Sequence, residues 1–247
     1  MLKLTNKLSL LAFLVASGCA LAALGSGLGY RFGWWHFRAG IAALGNVFWV
    51  AVGAALASII VIVLAGTFVK SRRALVLGLA GLAIAGITAW VPYNLRVTAN
   101  ALPPIHDIST DLVEPPQFVR VAALRKADDH PVAYDGPQTA KQQQKAYPDI
   151  LPLVYQAPHD KVFAAAKAVV ESMGLELVDA DPAQGRIEAT ETSVLFGFKD
   201  DIVVRIASGA EATKVDVRSK SRVGRNDFGM NAKRIRTFQS KLNAALH

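Results

Sequence analysis

Acidic residues are missing from a long N-terminal part of this 247-residue chain, since the first of its 19 Asp and Glu residues is Asp107. A carboxylate in the hydrocarbon core of a bilayer costs several kcal/mol unless it is paired, so membrane-spanning segments avoid it. Up to Asn94 the sequence consists of runs of Leu, Ala, Ile, Val and Gly, interrupted only by basic clusters. The absence therefore predicts a membrane region followed by a soluble one.

Cysteine is almost absent as well. Cys19 is the one cysteine and lies inside the first apolar run, which excludes an intrachain disulfide and a cysteine-based metal site. The sequence also lacks a glycine-rich phosphate loop after a predicted strand, and four of its histidines have no metal-ligand spacing: His106, His130, His159 and His247. We therefore expect no metal and no cofactor.

Three apolar stretches are long enough to cross a bilayer, which requires roughly 20 residues. They run from about 8 to 29, 41 to 69 and 74 to 93, and none of them contains Asp, Glu, Lys, Arg or His. An ion or proton path needs such groups, so their absence favours simple packing of three transmembrane helices. Glycines such as Gly78 and Gly81 allow the helices to approach closely.

The first span has a second interpretation. Lys3 and Lys7 before an apolar run resemble a signal peptide, and residues 16 to 19, Ala-Ser-Gly-Cys, resemble a lipoprotein cleavage box. However, Ala16 occupies a position where such boxes favour Leu, and the apolar run continues well past Cys19. A retained transmembrane helix is therefore favoured over cleavage.

Basic residues indicate the orientation of the spans. The N-terminus and the turn at residues 70–73 share a side, and their five cations outnumber Arg31 and Arg38 in the other loop. The positive-inside rule places the richer side in the cytoplasm. Aromatic residues typical of membrane interfaces collect on the opposite side: Tyr30, Trp34, Trp35, Trp49, Trp90 and Tyr93. For a bacterial cell this predicts a multi-pass inner-membrane protein with a cytoplasmic N-terminus and a periplasmic C-terminal domain.

The soluble part is predicted to contain a stalk and a small domain. The pairs Pro103-Pro104 and Pro115-Pro116 favour extended backbone, and residues 126–145 are polar, so residues 95–157 are expected to form a stalk and a surface loop. In residues 158–247, periodicity predicts helices at 160–173 and 227–246, a turn at 208–211, and strands at 175–178, 186–196, 200–207 and 213–219. This order indicates an α+β fold with an antiparallel sheet and helices on one face.

Positive charge is concentrated near the C-terminus. Residues 214–241 contain nine Lys and Arg, but only Asp216 and Asp227 as acids. Arginine and serine side chains with the N–H groups of a helix start can bind an anion, although Asp227 would compete for those N–H groups. The alternative, which we favour, is internal ion pairing that ties the stalk to the sheet: Arg218, Arg222 or Arg225 with Asp107, Asp111 or Glu114.

Two blocks of the sequence carry a family resemblance. One reads Pro104-Ile-His-Asp-Ile-Ser-Thr-Asp with a later Pro115-Pro-Gln-Phe, and the other runs from Val217 to Arg236. Over roughly residues 103–246 the chain resembles the bacterial family called domain of unknown function 1499, with the three spans as an N-terminal addition. The resemblance implies no established activity. It marks as candidates His106, Asp107, Asp111, Arg218, Ser219, Ser221, Arg222, Gly224, Asp227 and Arg234, to which the charge pattern adds Arg225.

Enzymatic function has a weak basis in the sequence. His106, Asp107, Ser109 and Asp111 include the residue types of a hydrolytic triad. Side chains within six positions of one extended segment cannot place a nucleophile, a base and an orienting group against one another. An enzyme remains the alternative: a hydrolase or transferase acting on envelope material, with Asp107 or Asp111 as base and Arg218 as anion clamp.

The predicted partners follow from location and charge. Apart from the lipid bilayer, we expect an anionic envelope lipid or polymer, or a membrane-protein partner. Nucleic acid is disfavoured because the domain is predicted to be periplasmic, and because Phe228 and Phe238 are predicted to lie on the core face of the last helix instead of stacking on bases. The sequence thus predicts a non-enzymatic membrane protein with a binding domain.

Overall fold

A computed structural model describes residues 1–209 and 212–246. The chain divides into two compact units: one contains residues 1–98 together with 194–197, and the other contains residues 99–193 together with the described residues from 198 onward. Each unit has its own packing and is described separately.

The first unit contains helices that are long and apolar enough to cross a membrane. Among the described residues these are α1 (Leu2–Arg31), α2 (Phe37–Val63, continued by a π-helical segment Leu64–Val69) and α3 (Arg72–Ala101). The three predicted transmembrane helices are confirmed, with longer bounds than the apolar runs. Polar residues at each end extend the helices, because backbone hydrogen bonding does not stop where the apolar run stops.

Small residues bring these helices together. Ala16, Ala54 and Ala85 form a buried cluster, and a Cβ atom added to Gly81 would lie 3.3 Å from the Cα of Phe13. In hydrocarbon, where burial of apolar surface gives no driving force, such close backbone approach provides the packing that holds helices together.

The helix α3 continues past the predicted end of the third span. An extended stalk was expected from residue 95, but the chain stays helical to Ala101 in spite of Pro92 within the helix. It ends just before Pro103 and Pro104, because a proline disfavours helical backbone in the residue that precedes it. The paired prolines therefore mark the end of the helix and not a stiff stalk.

The second unit consists of a sheet with flanking helices. Its strands are β1 (Asp107–Ser109), β2 (Leu153–Tyr155), β3 (Glu176–Asp181), β4 (Arg186–Thr192), β5 (Lys199–Ser208) and β6 (Thr213–Ser221), and its helices are α4 (Pro137–Ala146), α5 (His159–Ser172) and α6 (Met230–Leu246). A short 3-10 helix spans Val121–Leu124. The predicted α+β class is confirmed.

All strand pairs in the sheet are antiparallel. The order is β1-β6-β5-β4-β3, and β2 pairs with β6 beyond the end of β1, so β1 and β2 share the outer edge of β6. Both short strands come from residues 95–157, which were predicted to be a stalk and a loop. Their residues instead complete the sheet, since β6 would otherwise present an unpaired edge.

One face of the sheet carries the apolar core. Alternate residues of β5 and β6, such as Ile202, Val204 and Val217, pack against α5 and α6. Phe163 of α5 and Phe238 of α6 belong to the same cluster. This alternation of apolar residues along the strands was visible in the sequence, and it places the helices on one sheet face as predicted.

The other face of the sheet is covered by irregular chain. We call residues 111–135 the strap; its Phe118 and Val121 pack on Val203 of β5. The strap explains why β6 is buried on both faces, although its sequence alternates between apolar and charged residues. A polar strand face would ordinarily lie in solvent.

Several predicted boundaries shift for identifiable reasons. The strand β4 ends at Thr192, because the chain turns back through Gly197 with φ +68° and Ser193 N–H bonds Phe198 O. The helix α6 begins at Met230, since Phe228 and Gly229 have positive φ and cannot be helical. The predicted turn at 208–211 includes residues 210 and 211, which lie outside the described residues.

Candidate functional site

The candidate residues lie mainly on the sheet face beneath the strap. Strand pairing aligns residues of both signs there: Thr190 is opposite Asp201, Asp201 is opposite Lys220, and Lys220 is opposite Asp107. In the neighbouring row Val203 is opposite Arg218. Cross-strand neighbours lie within reach of one another's side chains. The register therefore builds a lattice of charges from β1, β4, β5 and β6.

Asp107 and Arg218 form the central pair of this lattice. Arg218 Nε donates to Asp107 Oδ1 and Arg218 Nη2 donates to Asp107 Oδ2, each at 2.8 Å. Both side chains are completely buried. A bidentate fork of this kind is the strongest geometry between a guanidinium and a carboxylate. The two residues are brought together by the first and the last strand in the sequence.

The remaining donors of Arg218 hold the strap. Nη1 donates to Pro116 O at 3.1 Å and Nη2 donates to Val132 O at 2.9 Å. The guanidinium also lies over the ring of Phe118, 4.8 Å from its centroid. Cation–π contact adds attraction where the cation is desolvated. Arg218 thus connects Asp107 to both ends of the strap and has no surface open to a ligand.

Lys220 is a second buried cation beside Asp107. Its Nζ lies 3.2 Å from Asp107 Oδ2 and donates to Asp135 Oδ1 at 2.6 Å and to Ala133 O at 2.7 Å. All three donors of the ammonium have partners. Sequence reasoning did not single out Lys220, because nothing in its local sequence distinguishes it from an exposed lysine.

Arg222 has a different partner from those predicted. It binds Asp201 of β5, with Nη2 to Oδ1 at 2.8 Å and Nε to Oδ2 at 3.0 Å. Arg125 of the strap contacts the same carboxylate at 2.9 Å, and Thr190 donates to it at 2.8 Å. Pairing of Arg222 with Asp107, Asp111 or Glu114 was expected. Arg222 instead follows β6, whose neighbour β5 carries Asp201, and it binds that carboxylate.

Glu188 anchors the strap by a different kind of contact. Its side chain is fully buried and accepts three backbone N–H groups of the strap: those of Val119 at 2.7 Å, Arg120 at 2.9 Å and Val121 at 2.8 Å. The N–H groups of Arg120 and Val121 belong to the cap and first residue of the 3-10 helix, where they have no partner within the helix, and Val119 directly precedes them. Arg186 Nε lies 3.2 Å from the same carboxylate.

Asp111 lies at the edge of the charged face. Its Oδ2 accepts from Arg205 at 2.9 Å and from Lys214 at 3.1 Å, and its Oδ1 accepts from the N–H of Glu114 at 2.9 Å. Burial alone would raise its pKa, but the hydrogen bonds from Glu114 N–H and Lys214 outweigh it and lower the pKa of Asp111 to about 2. A carboxylate this acidic is a weak general base at neutral pH.

A separate polar cluster joins β6 to α6 on the helical face. Ser219 donates to Asn231 Oδ1 at 2.7 Å, and Asn231 donates to Ser221 Oγ at 2.9 Å. Arg234 donates to Ser219 Oγ at 2.8 Å and to Asp200 Oδ2 at 2.8 Å, and it also contacts Glu191. Ser219, Ser221 and Arg234 therefore hold α6 on the sheet.

The start of α6 is capped from within the chain. Asp227 Oδ1 accepts the N–H of Gly229 at 2.9 Å and its Oδ2 accepts the N–H of Asn231 at 2.8 Å. An external anion would need these same N–H groups. Asp227 already occupies them, as the sequence suggested it would. Burial raises the pKa of Asp227, while these two hydrogen bonds oppose the rise.

His106 and His130 form a stacked pair beside the charged face. Their ring centroids are 4.0 Å apart and their planes differ by 22°. His106 Nε2 lies 3.3 Å from Asp135 Oδ2 without hydrogen-bond geometry. His130 Nε2 contacts Gly224 O at 2.9 Å, so this pair links the strap to the turn after β6.

This stack predicts a loss of stability in mild acid. Burial, then the nearby charge of His130, lowers the pKa of His106; Lys220 adds to the effect, and Asp135 and Asp107 oppose it. The unfolded chain then binds more protons than the folded one below pH about 6.5. We expect stability to fall as pH drops through this value toward the lower folded pKa, by at most about 1.4 kcal/mol per pH unit.

Pulse proteolysis of the full-length protein in detergent measures this slope. His106→Gln should flatten the loss between pH 7.5 and pH 5, because the titrating imidazole is removed. His159→Gln, which removes a histidine outside the stack, serves as the matched control and should leave the slope as it is. An unchanged slope in His106→Gln would contradict the assignment of this loss to His106.

Arg225 differs from the other candidate arginines. Its side chain is exposed, and it makes no ion pair within the part of the chain that the structure describes. It lies in the turn between β6 and α6. The neighbouring Gly224 has a φ of +93°, a backbone conformation that residues with a side chain rarely adopt. Of the arginines predicted for anion binding, Arg225 is therefore the one available to an external anion.

Sequence reasoning missed the acids that neutralise the basic block. Asp201 and Glu188 fall in predicted strands with no assigned role, and Arg125 falls in residues 95–157, which were predicted to form a stalk and a loop. A signal was present, since Asp201 and Glu188 alternate with apolar core residues and would share one face with Arg218 once the strands are paired. The register that makes them neighbours is set by pairing between distant segments.

Comparison with known families assigns residues 107–242 to a family whose description is "Protein of unknown function (DUF1499)". The matched region begins at Asp107 and includes the strap, the whole charged face and most of α6. The search of curated proteins returned no match. In residues 1–209 and 212–246, no group of three or more His, Cys, Asp and Glu could hold a metal ion.

Proposed function

Because the chain belongs to the DUF1499 family, whose description assigns no activity, we propose its function from geometry: it is a non-enzymatic membrane protein whose soluble unit binds an anionic envelope component or a partner protein. The bilayer is its first partner, through the three apolar helices. The soluble unit is a compact platform, and its exposed residues carry the binding.

The observation that carries this proposal is the complete burial of Asp107 and Arg218. A catalytic acid, base or anion clamp has to reach a substrate, and neither side chain has exposed surface. Their fork and its contacts to the strap instead fix a loop on the sheet. The buried cations of β6 thus stabilise the fold, and among the candidate arginines Arg225 is the one left for recognition.

The hydrolase or transferase alternative has little geometric support. It required Asp107 or Asp111 as a base beside Arg218 at an open cavity. Asp107 is paired with Arg218 in the interior, and Asp111 is paired with Arg205 and Lys214 and has a strongly lowered pKa. Neither carboxylate is therefore placed to act as the base that this alternative requires.

The placement of the soluble unit is part of the proposal. The cations of the N-terminus and of residues 70–73, around the start of α3, support a cytoplasmic location for both segments, by the positive-inside rule. An odd number of crossings then places the chain after α3 in the periplasm of a bacterial cell. The interfacial Trp and Tyr residues on the other side support the same orientation.

Cysteine labelling on intact cells tests this orientation. In a Cys19→Ser background, Lys161→Cys on the exposed start of α5 should react with a membrane-impermeant maleimide added outside the inner membrane. Arg72→Cys, at the exposed start of α3, is the matched control and should react only after the cells are opened. The reverse pattern would contradict the periplasmic placement.

Anion binding by the exposed surface is tested by purification in mild detergent. We expect Arg225→Glu to retain several-fold less anionic phospholipid or acidic polymer than the wild type. Lys161→Glu makes the same charge change on α5 and should retain the wild-type amount. Equal retention by all three proteins would remove the anion-binding version of the proposal, and leave binding of a partner protein as its remaining form.

A further inference from the structure

The turn between β6 and α6 exposes two apolar side chains next to a cation. Phe228 is 41% exposed and Met230 is 43% exposed, and Arg225 lies in the same turn. Phe228 was predicted to lie on the core face of the last helix, and this prediction is wrong. We call residues 223–230 the basic turn. An aromatic ring, a flexible apolar chain and a guanidinium together are typical of a surface that meets lipid headgroups.

The backbone holds Phe228 outward at a cost. Its φ is +55°, in the left-handed region that side chains other than Gly, Asn and Asp rarely adopt. The conformation is fixed by Asn226, whose Oδ1 accepts the N–H of Phe228 at 2.6 Å, and by the cap that Asp227 provides to α6. Strained backbone that the surrounding structure over-determines is concentrated at functional positions. Here the strain keeps a phenyl ring in solvent, which is itself unfavourable.

The basic turn is tied to the first residues that follow the membrane span. Asn226 Nδ2 donates to Ala99 O at 3.2 Å and to Pro103 O at 3.4 Å. By sequence the apolar run ends at Tyr93, and six helical residues from there to Ala99 advance about 9 Å. The headgroup layer of a bilayer is about 5 to 8 Å thick on each side. The residue that Asn226 contacts is thus separated from the end of the apolar run, along the helix, by a distance close to the thickness of the headgroup layer.

We propose that the basic turn binds the surface of an anionic bilayer, with Phe228 and Met230 at the boundary with the acyl chains and Arg225 against lipid phosphate. This specifies the proposed anion-binding function and rests on it. Charge complementarity supports an anionic lipid, since Arg225 has no acidic partner among the described residues. Membrane proteins commonly combine basic and apolar interfacial residues because either kind alone binds reversibly and weakly.

A spin label at position 230 tests the position of the turn directly. The full chain, with Cys19→Ser and Met230→Cys, is labelled and placed in nanodiscs of phosphatidylcholine and phosphatidylglycerol. We expect the ratio of oxygen to nickel-chelate accessibility to be several-fold higher than for a label at Val154→Cys, an exposed position on β2. Equal ratios at the two positions would overturn the proposal.

Two variants separate the contributions of ring and charge. Phe228→Asn removes the ring but keeps a residue that tolerates positive φ, and it should lower the ratio at position 230 toward the value at Val154. Arg225→Glu should lower it in anionic nanodiscs, whereas Lys161→Glu should not. Pulse proteolysis on each variant verifies that the soluble unit stays folded.

The outcomes distinguish this inference from the proposed function. A label at 230 that inserts equally in neutral and anionic nanodiscs, regardless of Arg225→Glu, would overturn the role of lipid charge. A water-exposed label, combined with loss of co-purifying acidic polymer in Arg225→Glu, would overturn the lipid assignment while the wider anion-binding function stands. Insertion that depends on both Phe228 and Arg225 would support the proposal.

Discussion

Asp107→Ala is expected to lower the free energy of unfolding of the soluble unit by about 3–5 kcal/mol, the range for removing one partner of a buried ion pair. The change leaves the guanidinium of Arg218 fully buried without a carboxylate. Its remaining partners are two backbone carbonyls and the rings of Phe118 and Tyr134. Lys220 keeps Asp135 and therefore contributes less to the loss.

The measurement is pulse proteolysis of the full-length protein in urea. A matched control exists on α6, where Arg236 binds Asp149 through the same fork at 2.6 and 2.7 Å, but with 44% and 53% of the side chains exposed. Asp149→Ala should cost only about 0–1 kcal/mol, because water replaces the lost contact. Similar losses for Asp107→Ala and Asp149→Ala would contradict a special role for the buried pair.

A double variant tests why the loss is large. If the uncompensated charge of Arg218 causes it, Asp107→Leu with Arg218→Met should recover much of the stability lost in Asp107→Ala, because both charges are gone. The strap would still lose its two hydrogen bonds from Arg218. A double variant that is less stable than Asp107→Ala would assign the loss to these strap contacts instead.

Asp201→Ala is expected to have an effect of similar size. Two guanidinium groups share this carboxylate, Arg222 with 7% and Arg125 with 5% of the side chain exposed. Removing it leaves both cations nearly buried and close together, so we expect a loss of about 3–5 kcal/mol. Arg125 also donates to His130 O at 2.7 Å, a hydrogen bond between two parts of the strap.

Asp201→Ala is also expected to change hydrogen exchange locally, which a uniform loss of stability would not do. Because Arg125 lies on the strap, release of Asp201 should raise hydrogen exchange first in residues 119–125 and only later in β5 and β6. Asp149→Ala again serves as the control and should leave exchange in the strap unchanged. Uniform exchange across the soluble unit would show that the strap and the sheet open together.

The burial of Asp107 and Arg218 changes how the family signature is understood. Asp107 and Arg218 belong to the blocks that resemble DUF1499 signatures, and a polar signature ordinarily suggests a site. In this chain they form the closed fork that joins β1 to β6 and fixes the strap. The residue proposed for recognition, Arg225, lies in the turn after β6 and takes no part in that fork.

The sequence predicted well those features that depend on local patterns. Apolar length alone identified three membrane helices, because the thickness of hydrocarbon sets a length that soluble helices rarely reach. Alternation in β5 and β6 and helical spacing in α5 and α6 predicted the α+β class. The capping role of Asp227 was also visible, since a cap acts over only a few residues.

Features that depend on pairing between distant segments were not visible. Residues 95–157 are rich in Pro and polar residues and suggested a stalk and a surface loop, yet they supply two edge strands, the strap and the helix α4. The strap makes the polar face of the sheet an interior, where Glu188, Asp201 and Lys220 must find partners. No local pattern shows that a loop will cover a strand face more than 80 residues away in sequence.

By itself, the sequence determined the solvent of each part of this protein. The chain before Asp107 excludes acids because hydrocarbon penalises them, and the chain after it mixes both signs because water and ion pairs tolerate them. Only the tertiary structure decided which charged side chains are paired and buried inside the fold. Asp107 and Arg218 look as available in the sequence as Arg225 does, but strand register and the strap close the first two away from water. Arg225 lies in a turn beyond the last strand and stays exposed.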